Sequence, residues 1–124
     1  MQRQARRDTK PELALRRELW SRGLRYRVDM APLPRMRRRA DIVFTKAKVA
    51  VYVDGCFWHS CPEHATVPKA NRDWWVKKLA ANVRRDRDTD DRLRESGWEV
   101  ARIWEHEDPV EAADAVEQLV RARA

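Results

Sequence analysis

The side chains best suited to bind metals or transfer protons are concentrated in one short segment of this sequence. Both cysteines and two of the three histidines fall within nine residues, as Cys56, His59, Cys61 and His64, and the third histidine is His106. Zinc prefers four sulfur or nitrogen ligands in a tetrahedron. All of these residues except His59 would supply the four ligands. His106 would thereby tie the segment to the end of a later predicted strand. The alternative is two buried thiols and two surface imidazoles, because the spacing is not that of a standard zinc finger.

His59 is then available for proton transfer, since an unperturbed imidazole has a pKa of about 6.5. Asp41 begins one predicted strand and Asp54 ends the next. If these strands form a hairpin, the two carboxylates lie near the same end of the sheet. Carboxylate oxygens are typical magnesium ligands. Together with His59 they predict metal-dependent phosphodiester hydrolysis, although Asp41 considered alone could simply cap a strand.

The charge of the chain favours a polyanionic partner. Charged residues make up 38% of the sequence and the formal net charge is +7, which points to nucleic acid ahead of an anionic membrane surface. A predicted loop at 29–39 carries four arginines that could contact phosphates, or simply be solvated: Arg35, Arg37, Arg38 and Arg39. We expect a cytoplasmic protein, because no apolar run approaches the roughly 18 residues of a membrane span and the N-terminus lacks a secretory signal.

The hydrophobic pattern predicts one α/β domain, residues 1–124, with a mixed sheet flanked by helices. A capping box at Thr9 to Glu12 predicts a first helix that Gly23 ends. Asn71 and Asp108 are expected to cap two further helices, the first reaching about Ser96. Strands are predicted at 24–28, 41–45, 49–53 and 98–104, and the continuously apolar third one suits a central position.

Several strings together resemble the very short patch repair (Vsr) DNA mismatch endonucleases. They lie at 8–12, 40–44, 51–59, 61–64, 71–75, 85–87 and 104–106. The resemblance covers nearly the whole chain, and the Gly-Cys-Phe-Trp-His string at 55–59 is its most specific part. It implies a restriction-endonuclease-like fold with a structural zinc site and a magnesium-dependent activity that nicks one DNA strand.

The resemblance also implies roles for individual residues. Asp41 and the main-chain carbonyl of Val53 match the magnesium ligands, His59 the general base, and Glu12 a residue that supports metal-bound water. The zinc ligands match Cys56, Cys61, His64 and His106. Aromatic wedges that insert beside the mismatch match Phe57, Trp58 and Trp75, and Arg85 and Arg87 would join the loop arginines on phosphates. Asp54 stands where some members have a histidine, so it could be an additional metal ligand.

These features predict an endonuclease that nicks one strand at T:G mismatches, such as those left by deamination of 5-methylcytosine. Its partner would be mismatched double-stranded DNA, with mismatch-repair proteins as possible recruiters. We expect a monomer associated with the nucleoid. Two alternatives stay open at this point. One is a nuclease of the same fold with another specificity, and the other is a non-catalytic, zinc-stabilised DNA-binding module.

Overall fold

The computed structural model describes residues 9–55 and 69–123. Along the chain the elements are α1 (Lys10–Ser21), β1 (Arg27–Met30), β2 (Ala40–Phe44), β3 (Val49–Asp54), α2 (Arg72–Glu95), β4 (Glu99–Trp104) and α3 (Pro109–Ala122). The predicted α/β class and the order of helices and strands are confirmed. The first strand begins three residues later than predicted.

The four strands form one mixed sheet in the order β1-β2-β3-β4. The first three are antiparallel neighbours, whereas β3 and β4 run parallel, with Asp54 paired to Trp104 at their ends. A parallel pair needs a crossover connection, and α2 lies in the one between β3 and β4. Five of the six residues of β3 are buried, which confirms the prediction of a central strand.

Helices cover both faces of the sheet. Residues of α1 and α3, such as Leu15 and Val116, pack with Ile42 and Val51 in one apolar cluster. Leu93 of α2 joins a smaller cluster on the opposite face, with the strand residues Val43, Ala50, Tyr52 and Val100. The division follows from strand geometry, because successive side chains point to opposite faces. Within the described residues, no helix is both long and apolar enough to cross a bilayer.

The helix ends agree only in part with the predicted caps. Thr9 is the N-cap of α1 but makes no side-chain capping hydrogen bond, and Glu12 is buried rather than reaching back to it, so the capping box is wrong. Asn71 is likewise no side-chain cap for α2. The Asp108 side chain does cap α3, accepting from the Glu111 N–H at 3.1 Å. Gly23 follows α1 with φ +81°, a conformation that favours glycine.

Candidate active site

Asp41 is anchored at the junction of the two central strands. Its Oδ2 atom accepts a hydrogen bond of 2.6 Å from the Val53 main-chain N–H. This contact joins β2 to the end of β3. Asp41 and Asp54 line the same cavity, which has a volume of about 270 Å³. The two carboxylates therefore lie at one end of the sheet, as the hairpin predicted.

Glu12 brings a second carboxyl group to Asp41 from helix α1. The Glu12 residue is 2% exposed, and its Oε2 atom forms an ion pair of 2.6 Å with Arg16. Burial raises the pKa of Asp41 to about 7; the Val53 N–H opposes this shift, while the charge of Glu12, a hydrogen bond with it and the charge of Asp54 reinforce it. Crowded carboxylates of this kind hold a proton that a divalent cation can replace.

The Asp54 carboxylate forms an ion pair with Arg102. This carboxylate is 7% exposed and accepts two hydrogen bonds of 3.2 Å from Nη1 of Arg102. The same guanidinium binds Asp90 of α2 at 2.7 and 2.9 Å. These contacts give Asp54 an arginine partner beside Asp41. Its role as an additional metal ligand stays a prediction.

Arginines line the cavity that Asp41 faces, but they are not equivalent. Arg38 is half-buried, and its Nη1 donates to Thr89 at 2.7 Å and Asp88 at 2.8 Å, so it joins the loop before β2 to α2. The other arginines predicted to bind phosphate are exposed: Arg35, Arg37, Arg39, Arg85 and Arg87. Of these, Arg39 and Arg85 line the cavity itself. The cavity thus combines an acidic floor with a basic rim.

Most of the predicted zinc ligands and wedge residues, and the predicted general base, fall in the segment that is not described. Those outside the described residues are Cys56, Phe57, Trp58, His59, Cys61 and His64. His106 lies exposed in the turn after β4. Trp75 is half-buried at the start of α2. Its ring packs edge-on against that of the exposed Trp74, with the ring centroids 4.7 Å apart. Among the described residues, no group of three or more metal-binding side chains forms a cluster.

Two site residues were missed or misread from the sequence. Arg102 was assigned only to a strand, although a charged residue inside an apolar strand requires buried partners. Its partners Asp86 and Asp90 share helical spacing with the buried Leu79 and Leu93, which is the signal that they face inward. Glu12 was read from the local pattern as a capping residue and was placed at the site only by the family resemblance, although it has the same phase as the buried Leu15 and Leu19.

Comparison with known proteins places the chain in a family. Residues 1–64 match the family model for the DNA mismatch endonuclease Vsr. The type II nicking enzyme V.NaeI of Lentzea aerocolonigenes is 48% identical over 120 residues, which cover 94% of this chain and 71% of that protein. V.NmeDIP, a type II nicking enzyme of Neisseria meningitidis serogroup C, is 39% identical over 126 residues, which cover 98% of this chain and 83% of that protein.

The DNA mismatch endonuclease Vsr of Escherichia coli K12 is 38% identical over 104 residues, covering 82% of this chain and 64% of that protein. The family match spans more than half of the chain, including both Asp41 and the end of β3. The chain therefore belongs to the Vsr family of DNA mismatch endonucleases and is a DNA endonuclease.

Proposed function

We propose that this endonuclease nicks one strand of duplex DNA at T:G mismatches, with magnesium as its catalytic cation, in very short patch repair of deaminated 5-methylcytosine. The observation that carries the proposal is the Asp41 carboxyl group, bound by the Val53 N–H and paired with buried Glu12 beside a cavity with an arginine rim. Because the chain belongs to a family of DNA endonucleases, a non-catalytic DNA-binding module is no longer the favoured alternative.

The donor set around Asp41 fits a magnesium ion. Magnesium takes oxygen ligands and commonly keeps several waters, so Asp41 and the Val53 carbonyl would hold it, and Glu12 would orient its waters. Bound there, the cation would supply positive charge to the oxygens of the reacting phosphate. The raised pKa of Asp41 supports this assignment, because burial first, and then the charges of Glu12 and Asp54, disfavour its ionised form, which a bound cation would stabilise.

Side chains of the protein would carry out proton transfer and bind the DNA. His59 would accept a proton from the attacking water. Exposed Arg39 and Arg85 on the cavity rim would bind phosphates close to the cleaved bond, and Arg35, Arg37 and Arg87 would bind phosphates farther along the strand. Phe57, Trp58 and Trp75 would stack beside the mismatched pair, where opening a base step costs least.

The proposed zinc site is structural and would close the segment that follows β3. Its ligands would be Cys56, Cys61, His64 and His106. The register supports it: Asp54 pairs with Trp104 at the ends of two parallel strands, so Cys56 and His106 each come two residues after that pair. A site of this type would add folding stability to a small domain. We further propose that the enzyme acts as a monomer at the nucleoid.

The test is cleavage of a panel of duplexes with the wild-type enzyme and magnesium. The panel contains each mismatch in several sequence contexts and the fully paired duplex. We expect nicking of the T:G duplex at least about 10-fold faster than of the paired one, and none in chelator. Equal cutting of paired and mismatched DNA would instead support a same-fold nuclease with another specificity.

A further inference from the structure

Arg102 connects three elements around the candidate active site. It lies in β4, and its guanidinium binds Asp54 at the end of β3 and Asp90 in the middle of α2. It also donates to the Asp86 main-chain carbonyl at 3.3 Å and lies 4.3 Å from the centre of the Tyr52 ring. Its side chain is only 21% exposed. A largely buried guanidinium is thus fully engaged with protein groups.

Helix α2 needs such a connection because its apolar contact with the sheet is small. Of its 24 residues only Leu79, Thr89 and Leu93 are buried. Between the two leucines, the helix is held by polar contacts: Asp90 with Arg102, and Thr89 with Arg38. Ion pairs of this burial add little net stability, since desolvation offsets their attraction. Their directional contacts do, however, fix the position of the helix.

The network also reaches Asp41 through the main chain. Asp54 directly follows Val53, whose N–H binds the Asp41 carboxylate. The Asp54 carbonyl accepts from the Glu105 N–H at 2.9 Å, and its side chain is held by Arg102. The end of β3 is therefore fixed from β2, from β4 and, through Arg102, from α2.

We propose that Arg102 is a positioning residue: by holding Asp54 against Asp90, it fixes the end of β3 and, through the Val53 N–H, the placement of the Asp41 carboxylate. Its catalytic consequence rests on the proposed function, in which Asp41 holds the cation. Arg102 lines the cavity, but its N–H groups donate to Asp54, to Asp90 and to the Asp86 carbonyl. Its loss therefore lowers the rate of the bound complex and leaves DNA binding largely unchanged.

The test uses two variants that weaken the network and one that keeps its charge: Arg102→Leu, Asp90→Asn and Arg102→Lys. Asp90→Asn retains Arg102 and its contact with Asp54, so it gives an answer even if Arg102→Leu does not fold. The matched control is Arg22→Met. Arg22 is 17% exposed and also binds three carboxylates, from Glu18, Asp114 and Glu117, but it joins α1 to α3 on the other face.

Two measurements are made on each folded variant: kcat and KM for nicking, and hydrogen exchange of the Val53 amide without DNA or metal. Small misplacements of reacting groups can cost on the order of 100-fold in rate. We expect kcat to fall about 10- to 100-fold in Arg102→Leu and Asp90→Asn, with KM within about threefold and faster Val53 exchange. Arg102→Lys should lie between these variants and the wild type, and Arg22→Met should match the wild type in both readouts.

Unchanged Val53 exchange in the folded Arg102 and Asp90 variants would overturn the inference, as would an equal loss of kcat in Arg22→Met. The exchange measurement separates this inference from the proposed function. If the wild type nicks no duplex with any divalent cation, the proposed function fails, and Val53 exchange still decides whether Arg102 positions the end of β3.

Discussion

The two faces of the sheet are built from different chemistry. On the face covered by α1 and α3, fully buried aliphatic residues such as Leu19 and Val116 form the larger cluster. On the face covered by α2, a smaller apolar cluster around Leu93 adjoins the ion network of Arg102. Each buried leucine or valine contributes roughly 1.5–3 kcal/mol, whereas buried ion pairs contribute little net stability.

This difference assigns different tasks to the two faces. The apolar face supplies most of the stability of the domain, and its packing tolerates changes that keep volume. The polar face contributes less stability but fixes directions, which a site with a cation and a phosphate requires. Glu12 is the exception that links them, because it extends from α1 to Asp41. Substitutions on each face should therefore differ in how far they change the free energy of unfolding and kcat.

The largest effect is expected from Leu19→Ala on the apolar face. Leu19 is completely buried, so truncation should lower the free energy of unfolding by about 2–5 kcal/mol. Because Leu19 is remote from the ion network, kcat per folded molecule should stay at the wild-type value. Urea unfolding and nicking assays at low temperature check both points. A kcat loss as large as that of Asp90→Asn would end the proposed division between the faces.

The second effect concerns pH and the metal-free protein. Burial raises the pKa of Asp41 in the folded chain to about 7, from an ordinary value of 3.8. From about pH 4 to pH 7 the folded chain keeps a proton that the unfolded chain has released, so stability falls as pH rises through this window. The loss should be on the order of 4 kcal/mol at most, since each pH unit of this window contributes about 1.4 kcal/mol.

Urea unfolding in chelator across this range measures that loss. Asp41→Asn should flatten the profile, and magnesium should stabilise the wild type more at pH 8 than at pH 6, because the cation competes with the proton. Profiles of the same slope for both proteins would show that Asp41 does not hold the proton.

A smaller effect distinguishes two arginines of one loop. Arg38→Met should cost about 0.5–1 kcal/mol, because a partly exposed ion pair and its hydrogen bonds to α2 are lost. Exposed Arg37→Met should change stability by less than about 0.5 kcal/mol, and should instead lower the salt dependence of DNA binding by about one phosphate contact. Equal stability losses would contradict the distinct placement of the two side chains.

The smallest effect is expected from Tyr52→Phe. Burial raises the pKa of Tyr52 to about 12, so the hydroxyl stays neutral. Among the described residues this hydroxyl has no hydrogen-bond partner, so removing it should change stability by less than about 0.5 kcal/mol. A loss above about 1 kcal/mol in urea unfolding would contradict this prediction.

The sequence predicted elements whose signal is local. The apolar run of β3, the Asp108 cap and the glycine after α1 each depend on a few neighbouring residues. What it could not give were contacts between distant charges. Asp86 and Asp90 were not predicted as partners of Arg102, because helical phase does not reveal which strand lies beneath the helix. The packing of α2 against β4 brings Arg102 to them.

The candidate site was predictable to a similar extent. Asp41 was found from its place at a strand start and from the family resemblance. Its hydrogen bond to Val53 depends on the hairpin register, and its contact with Glu12 depends on how α1 crosses the sheet. Trp20 of α1 and Val110 of α3 are apolar but exposed. Helical periodicity predicts which side of a helix is apolar. It does not predict how much of that side contacts the sheet, and apolar residues beyond the contact stay exposed.

The most direct test of a cation-dependent centre at Asp41 compares nicking by the wild type, Asp41→Asn and Asp114→Asn. Asp114 is exposed on α3 and serves as a control for the loss of one carboxylate. With a T:G duplex and magnesium, Asp41→Asn should lose about 10³-fold in kcat, equivalent to roughly 4 kcal/mol, while binding DNA and remaining folded. Asp114→Asn should retain wild-type kcat. Wild-type nicking by Asp41→Asn would contradict the account.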